Sequence, residues 1–276
     1  MGNLTKNNAG TASHDDFETL QRGLTVEMIA TRRCDLETCR KNELVSDVMG
    51  RMSAINVSYD YLPVTDAGSN GPERIVGLYP TKTRTAGERD SAERVHECLC
   101  PLSEDFVIGA KASILDFIVN RNAKPVRLVV SEAGFVGLVT LSDLQKPPGR
   151  VALFALVSGF EVTMSNVIRS RCPGDVWMQY ISSGRREKIG EQIEKSKSEE
   201  QDDFVEPLLF TKFCDKREIL IKSKALERHS SNSQAMKELK KIEDLRDRLA
   251  HANDYASSQV PEVVMTLLKL QDVLKR

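Results

Sequence analysis

Leu62-Pro-Val-Thr-Asp-Ala-Gly68 and Leu128-Val-Val-Ser-Glu-Ala-Gly134 repeat one order of apolar, polar, acidic and small residues at an offset of 66 positions. Ile75-Val-Gly-Leu78 and Phe135-Val-Gly-Leu138 repeat at an offset of 60, which leaves the first copy 6 extra residues, Ser69 to Arg74, as a longer hairpin loop. Such self-similarity marks an internal duplication. In the second copy Ile114 to Val119 is apolar at helical spacing, Arg127 to Val130 is rich in β-branched residues, Glu132-Ala-Gly134 turns and Phe135 to Thr140 returns. Each copy therefore reads as helix, strand, turn, strand, and the two are expected to pack as one module.

Downstream, the prolines of Gln145-Lys-Pro-Pro-Gly149 are expected to stop any helix opened at Ser142 or Asp143, and the domain boundary falls there. Beyond it the spacing turns helical. Leu153, Leu156, Val157, Phe160, Met164, Val167 and Ile168 form one stripe of period 3.6, ended by Pro173-Gly174. Further helices are expected from Val176 to about Lys197, from Pro207 to about Ile221, from Gln234 to about Ala252, and after Pro261. The Gln234 helix has its seam at Met236, Leu239, Ile242, Leu245 and Leu249. Residues 1–19 hold too few large apolar side chains to offset their ordering entropy and read as a flexible tail. The fold class is α+β: an α/β module over 20–146 and an all-α bundle of about five helices over 150–276.

With 39 basic and 40 acidic side chains and a net charge of -1, the chain has no global basic field, so a nucleic-acid contact must come from a local patch. No apolar run approaches the ~20 residues needed to span a bilayer, and the polar N-terminus lacks a signal core, so a cytoplasmic protein without membrane contact is expected. The six cysteines and four histidines show no metal-ligand spacing, and no metal is expected.

The duplicated hairpin that ends in Gly137-Leu-Val-Thr-Leu-Ser-Asp143 resembles the tandem CBS domain pair, over about half the chain. The resemblance implies an adenine nucleotide (ATP, ADP or AMP) as regulatory ligand, with Asp143 on ribose hydroxyls and Thr140 near a phosphate. A carboxylate three residues after a hydroxyl at a strand-to-helix turn suits that task beside free backbone donors. The bland alternative is that Ser142 and Asp143 cap a short helix. In the first copy Pro80 stands at the Thr position and Thr83 at the Asp position, so at most one site keeps the acid.

Late on the Gln234 helix, Arg246-Asp247-x-x-x-His251 resembles the signature of the HEPN family of small helical bundles: Arg, a polar residue, and His after four to six intervening positions. At 100° per residue His251 lies nearly opposite the apolar seam, so it is expected on the exposed face, with Asp247 at i, i+4 able to hold its ring and Arg246 at the flank. Metal-free RNA cleavage by 2′-hydroxyl attack needs a group that moves protons near pH 7 and a cation for the developing charge; histidine and arginine supply both. The resemblance implies an endoribonuclease without a catalytic cofactor, its composite site built from His251, Arg246 and Asp247 of two protomers in a homodimer or higher even oligomer. It also implies a toxin or phage-defence role. Lys212 to Arg248 holds 11 basic against 7 acidic residues, a local excess that suits an RNA substrate. The plain alternative is a salt-bridged surface in which Asp244 pairs with Arg248 and His251 caps the helix dipole. The corresponding whole-protein alternative is a non-catalytic nucleotide sensor whose bundle serves dimerisation or partner binding.

Overall fold

The computed structural model describes residues 14–55, 59–67, 74–81, 93–120, 124–200 and 206–276. Its strands are β1 (Thr31–Arg32), β2 (Cys39–Arg40), β3 (Tyr61–Asp66), β4 (Arg74–Pro80), β5 (Cys100–Pro101), β6 (Val107–Gly109), β7 (Val126–Ser131) and β8 (Gly134–Thr140). The helices are α1 (His14–Gly23), α2 (Val45–Ala54), α3 (Val95–Cys98), α4 (Ile114–Val119), α5 (Pro147–Arg171), α6 (Ser183–Glu200), α7 (Phe213–Lys222), α8 (Asn232–Ala250) and α9 (Val260–Lys275). The described residues fall into two compact units: a mixed α/β unit from within 25–112 and 120–143, and a helical unit from 14–24, 113–119 and the described part of 144–276.

The α/β unit holds two four-stranded sheets of matching topology, β2-β3-β4-β5 and β6-β7-β8-β1. In each, a short strand runs parallel to the first hairpin strand and an edge strand pairs antiparallel with the second. Val64 faces Gly77 and Val129 faces Gly137, and each hairpin slips register at the next residue. This pairing corrects the sequence alignment of the first strands by one position: the structural offset is 65 (Val64 to Val129), and Arg74 belongs to β4 rather than to the loop. A one-residue slip moves every side chain to the other face of the sheet, so only pairing fixes it. Ser69 to Glu73, in the expected longer loop, and Thr83 lie outside the described residues.

The duplication reaches further upstream than side-chain likeness shows. Val26 and Glu27 N–H donate to the carbonyls of Ala112 (2.9 Å) and Ala110 (3.1 Å), just as Val95 and His96 N–H donate to Glu43 (3.0 Å) and Lys41 (3.0 Å). Glycine is required at the same place in both hairpins. A Cβ on Gly77 would stand 2.6 Å from the Cys100 carbonyl oxygen, and one on Gly137 would press on that of Thr31, so each edge strand docks only because its neighbour lacks a side chain. One core joins Val45, Val48 and Met52 of α2 to Leu62, Val64, Tyr79 and Val95; a second joins Leu78, Phe106, Val126, Leu128 and Leu138.

In the helical unit α5 packs with α1, α7, α8 and α9, and Leu153, Phe160, Met164 and Ile168 are fully buried. By length and composition α5 could cross a membrane, yet more than half of its apolar window is buried inside the fold. Pro147 and Pro148 do not merely stop the preceding turn; they open α5, because a first helical position needs no N–H donor and takes the fixed proline φ. Residues 14–19, expected in a tail, lie in α1. Phe17 packs on Gly159, and Gln21 Nε2 donates to the Ala152 carbonyl at 2.6 Å, so α1 is held by small residues of α5 rather than by its own propensity. Two expected helices begin later, after 3-10 turns at Val176–Tyr180 and Pro207–Phe210.

Gly137→Ala is expected to destabilise the protein by about 1–3 kcal/mol, since backbone must move to admit the methyl group. Gly50→Ala, on an exposed stretch of α2 where an added Cβ meets nothing within 4 Å, is expected to stabilise by about 0.5–1 kcal/mol. Thermal melting of the two variants checks the opposite signs.

Candidate functional site

β8 delivers Thr140 to the end of its sheet, where it pairs with Val126, and the chain turns at once into a 3-10 segment, Leu141–Gln145. Leu141 N–H donates to the Pro125 carbonyl at 3.3 Å and fixes the start of the turn. Asp143 is buried. Its Oδ2 accepts from the Thr140 N–H at 2.7 Å and from the Thr140 hydroxyl at 3.0 Å. The two residues predicted to read a nucleotide are thus in direct contact, and the capping use of Asp143 is realised. A carboxylate has roughly four acceptor directions, so capping and ligand recognition are compatible at one side chain. In the first copy Thr81 N–H donates to the Asp60 carbonyl at 3.0 Å, so the strand exit is kept with Pro80 at the Thr position.

A second feature of this unit was not marked by sequence. Arg127 is 2% exposed within β7, and burial lowers its pKa from the usual guanidinium value against the opposing pull of Asp105. The alternating pattern of the strand treated it as one more strand position; a buried cation shows itself only in packing.

In the helical unit, α8 carries the other predicted residues. Its seam of Leu239, Ile242, Leu245 and Leu249 is buried, and Met236, predicted on the same seam, is half-buried. Arg246 is half-buried: its Nη1 lies 3.1 Å from Asp247 Oδ1 and its Nε 4.0 Å from Glu161 Oε2 on α5. Glu161 Oε1 in turn accepts from Lys216 Nζ at 2.7 Å, and Lys216, also buried, donates to the Thr211 carbonyl at 3.2 Å. Charges therefore alternate from Lys216 through Glu161 and Arg246 to Asp247.

His251 is exposed and serves as the C-cap of α8, its N–H donating to the Asp247 carbonyl at 3.1 Å. Among the described residues its imidazole meets no hydrogen-bond or ion-pair partner. Asp247, able by spacing to hold that ring, spends its carboxylate on Arg246. The structure thus joins Arg246 with Asp247 and leaves the His251 ring to solvent. Nor do Asp244 and Arg248 form an ion pair among the described residues; Arg248 Nη1 donates to the Asp254 carbonyl at 2.9 Å. Glu161 is the residue that sequence reading missed, because its partners come from α7 and α8, far away in the chain.

Between α8 and α9 lies a cleft of about 340 Å3 lined by Lys241, Asp244, Arg248, Tyr255 and Glu262 among others. Its charges are mixed, and Lys241 Nζ is 2.7 Å from Glu262 Oε1. Burial raises the pKa of the Tyr255 phenol to about 12, so it remains a neutral donor at every physiological pH. No group of three or more His, Cys, Asp or Glu that could hold a metal ion occurs among the described residues.

No protein-family model and no curated protein matches this chain. Solved structures do. The CBS domain of the bacterial CNNM/CorC family Mg2+ transporter in complex with ATP aligns at 19% identity over 48% of this chain and 91% of that one, with a TM-score of 0.38. A hemolysin-like protein containing a CBS domain from Oenococcus oeni PSU aligns at 15% identity over 49% and 97%, TM-score 0.38. CBSX2 in complex with AMP aligns at 20% identity over 47% and 96%, TM-score 0.35. Each covers about half of this chain.

Glu161→Ala leaves the buried Lys216 ammonium without its carboxylate and is expected to cost on the order of 3 kcal/mol. The Glu161→Ala/Lys216→Ala pair should cost less than the sum of the single changes. A double-mutant cycle by chemical denaturation checks this coupling.

Proposed function

We propose that the protein is an adenine-nucleotide-regulated endoribonuclease whose catalytic groups are His251 and Arg246 from each of two identical chains. The observation that carries this reading is the exposed imidazole of His251, free of partners among the described residues, one turn after a guanidinium held by Glu161 and Asp247. A neutral imidazole takes the proton of a ribose 2′-hydroxyl; the oxygen attacks the adjacent phosphorus; the bond from phosphorus to the 5′-oxygen breaks; the protonated imidazole of the partner chain gives its proton to that leaving oxygen. The products are a 2′,3′-cyclic phosphate and a 5′-hydroxyl. Arg246 stabilises the charge that gathers on the non-bridging oxygens. Because each chain supplies one imidazole, the isolated protomer is nearly inert. The regulatory ligand is an adenine nucleotide with its ribose on Asp143 and its phosphate near Thr140, and RNA cleavage stops growth of the host cell in a toxin or phage-defence setting.

A second reading is a non-catalytic nucleotide sensor whose helical unit binds a partner. It is favoured by one detail: Arg246 and Asp247 already neutralise each other.

Purified full-length protein is expected to cleave a synthetic oligoribonucleotide in the presence of EDTA, leaving cyclic-phosphate ends, and His251→Ala to lose at least about a hundredfold in rate. Equal cleavage by the variant would remove the enzyme and leave the sensor. Separately, AMP, ADP or ATP is expected to raise the melting temperature of the wild type and to leave that of Asp143→Ala unmoved, each shift taken from the variant's own baseline because Asp143 also caps a turn. No shift with any of the three would defeat the nucleotide assignment.

A further inference from the structure

The backbone around His251 is unusual. Ala252, the next residue, has φ 54°, in the left-handed region where glycine is the ordinary occupant and a Cβ is strained. The chain reverses there in a paired closure: Asn253 N–H donates to the Arg248 carbonyl at 2.9 Å and Ala252 N–H to that of Leu249 at 3.4 Å. A strained residue persists only where its surroundings over-determine it.

The surroundings are one guanidinium and its holders. Arg150, in the first turn of α5, donates from Nη2 to the carbonyls of Arg248 (3.0 Å) and Leu249 (3.4 Å), and from Nη1 to that of Asn253 (3.2 Å). These three carbonyls bracket His251 and Ala252 on both sides. Arg150 is itself fixed. Its Nη1 also reaches Gln145 Oε1 at 3.2 Å, and its guanidinium carbon lies 5.4 Å from the centre of the Tyr255 ring. Tyr255 donates its hydroxyl to the Leu144 carbonyl at 2.6 Å, while Gln145 Nε2 donates to the Tyr255 carbonyl at 2.6 Å and to Ser257 Oγ at 3.3 Å. The polar contacts of this clasp fall on backbone, on its own members or on Ser257 Oγ, and none on the imidazole.

A cation at a helix C-terminus stabilises the helix whatever the helix does. Charge alone does not explain this arrangement, since a lysine would meet the dipole equally well. Three carbonyls on the two sides of residues 250–252 are met here by two nitrogens of one planar guanidinium, a fork that the single ammonium of lysine does not have.

We propose that Arg150 is a positioning residue for His251: acting through the backbone, it holds the strained turn at Ala252 and so sets the direction in which the imidazole is presented. This rests on the ribonuclease reading above. Arg150 does not meet the substrate; its effect passes through Arg248, Leu249 and Asn253.

The test uses the full-length protein and a short synthetic oligoribonucleotide, with Arg150→Lys as the principal variant and Gln145→Ala as a milder one that loosens the same clasp. Amide hydrogen exchange over residues 248–257 is expected to accelerate about tenfold or more in Arg150→Lys, with α5 and α9 unchanged. In the same variant kcat should fall at least about tenfold while KM stays within about twofold, the pattern of lost geometry at the reacting group rather than lost binding. Adding Ala252→Gly, which relieves the left-handed strain, should restore part of both. Faster exchange with kcat unchanged, or a lower kcat with exchange over 248–257 unchanged, overturns the positioning role while His251-dependent cleavage by the wild type keeps the ribonuclease reading. Absence of His251-dependent cleavage in the wild type overturns both.

Discussion

A helix that ends must dispose of its last four carbonyl groups, and the manner in which α8 does so shapes everything at its tip. Two carbonyls are met from within the turn, by Asn253 and Ala252, and the same two are met again by Arg150. With the backbone so fully engaged, the chain spends none of the His251 side chain on capping. An imidazole at a helix C-terminus commonly serves the dipole; here Arg150 has that task, and the ring meets no partner among the described residues. The alternation of Lys216, Glu161, Arg246 and Asp247 does the corresponding work for the neighbouring guanidinium, restricting a long side chain that would otherwise be mobile.

The α/β unit shows a different economy. Its two halves use one set of backbone bonds twice, and each half takes its edge strand from the residues that precede the other half's core. The glycines at 77 and 137 are the residues that make this exchange sterically feasible. Only one half then ends in Thr and Asp at the strand exit, so the scaffold is duplicated and this residue pair is not.

Much of this was legible in the sequence where local pattern and final structure obey the same physics. α4 occupies the stretch its apolar spacing marks, β7 and β8 flank the Glu132-Ala133 turn, and the α8 seam is buried as its period requires. The misses have tertiary causes. Side-chain likeness sets the repeat one residue out, matching Leu62 with Leu128, whereas the sheet aligns Pro63 with Leu128. Residues 14–19 look too polar to fold alone, and it is Gly159 and the Ala152 carbonyl of α5 that give Phe17 and Gln21 a place. Pro147 and Pro148 carry both meanings at once, stop and start. Of the candidate residues, the contact between Thr140 and Asp143 follows from a three-residue spacing at a helix start, but Glu161 beside Arg246 and the clasp on the His251 turn come from residues about 85 to 110 positions away, beyond the reach of any local pattern.

The helical unit is assembled from three separate stretches of the chain, which supply α1, α4 and the helices from α5 onward. A fragment cut at the obvious proline boundary would therefore be incomplete at both α1 and α4, with Gly159 and Ala152 stripped of the helix that covers them. Loss of any property in such a truncated piece would report a damaged core and say nothing about His251. Dissection of this protein has to proceed by point substitution in the intact chain.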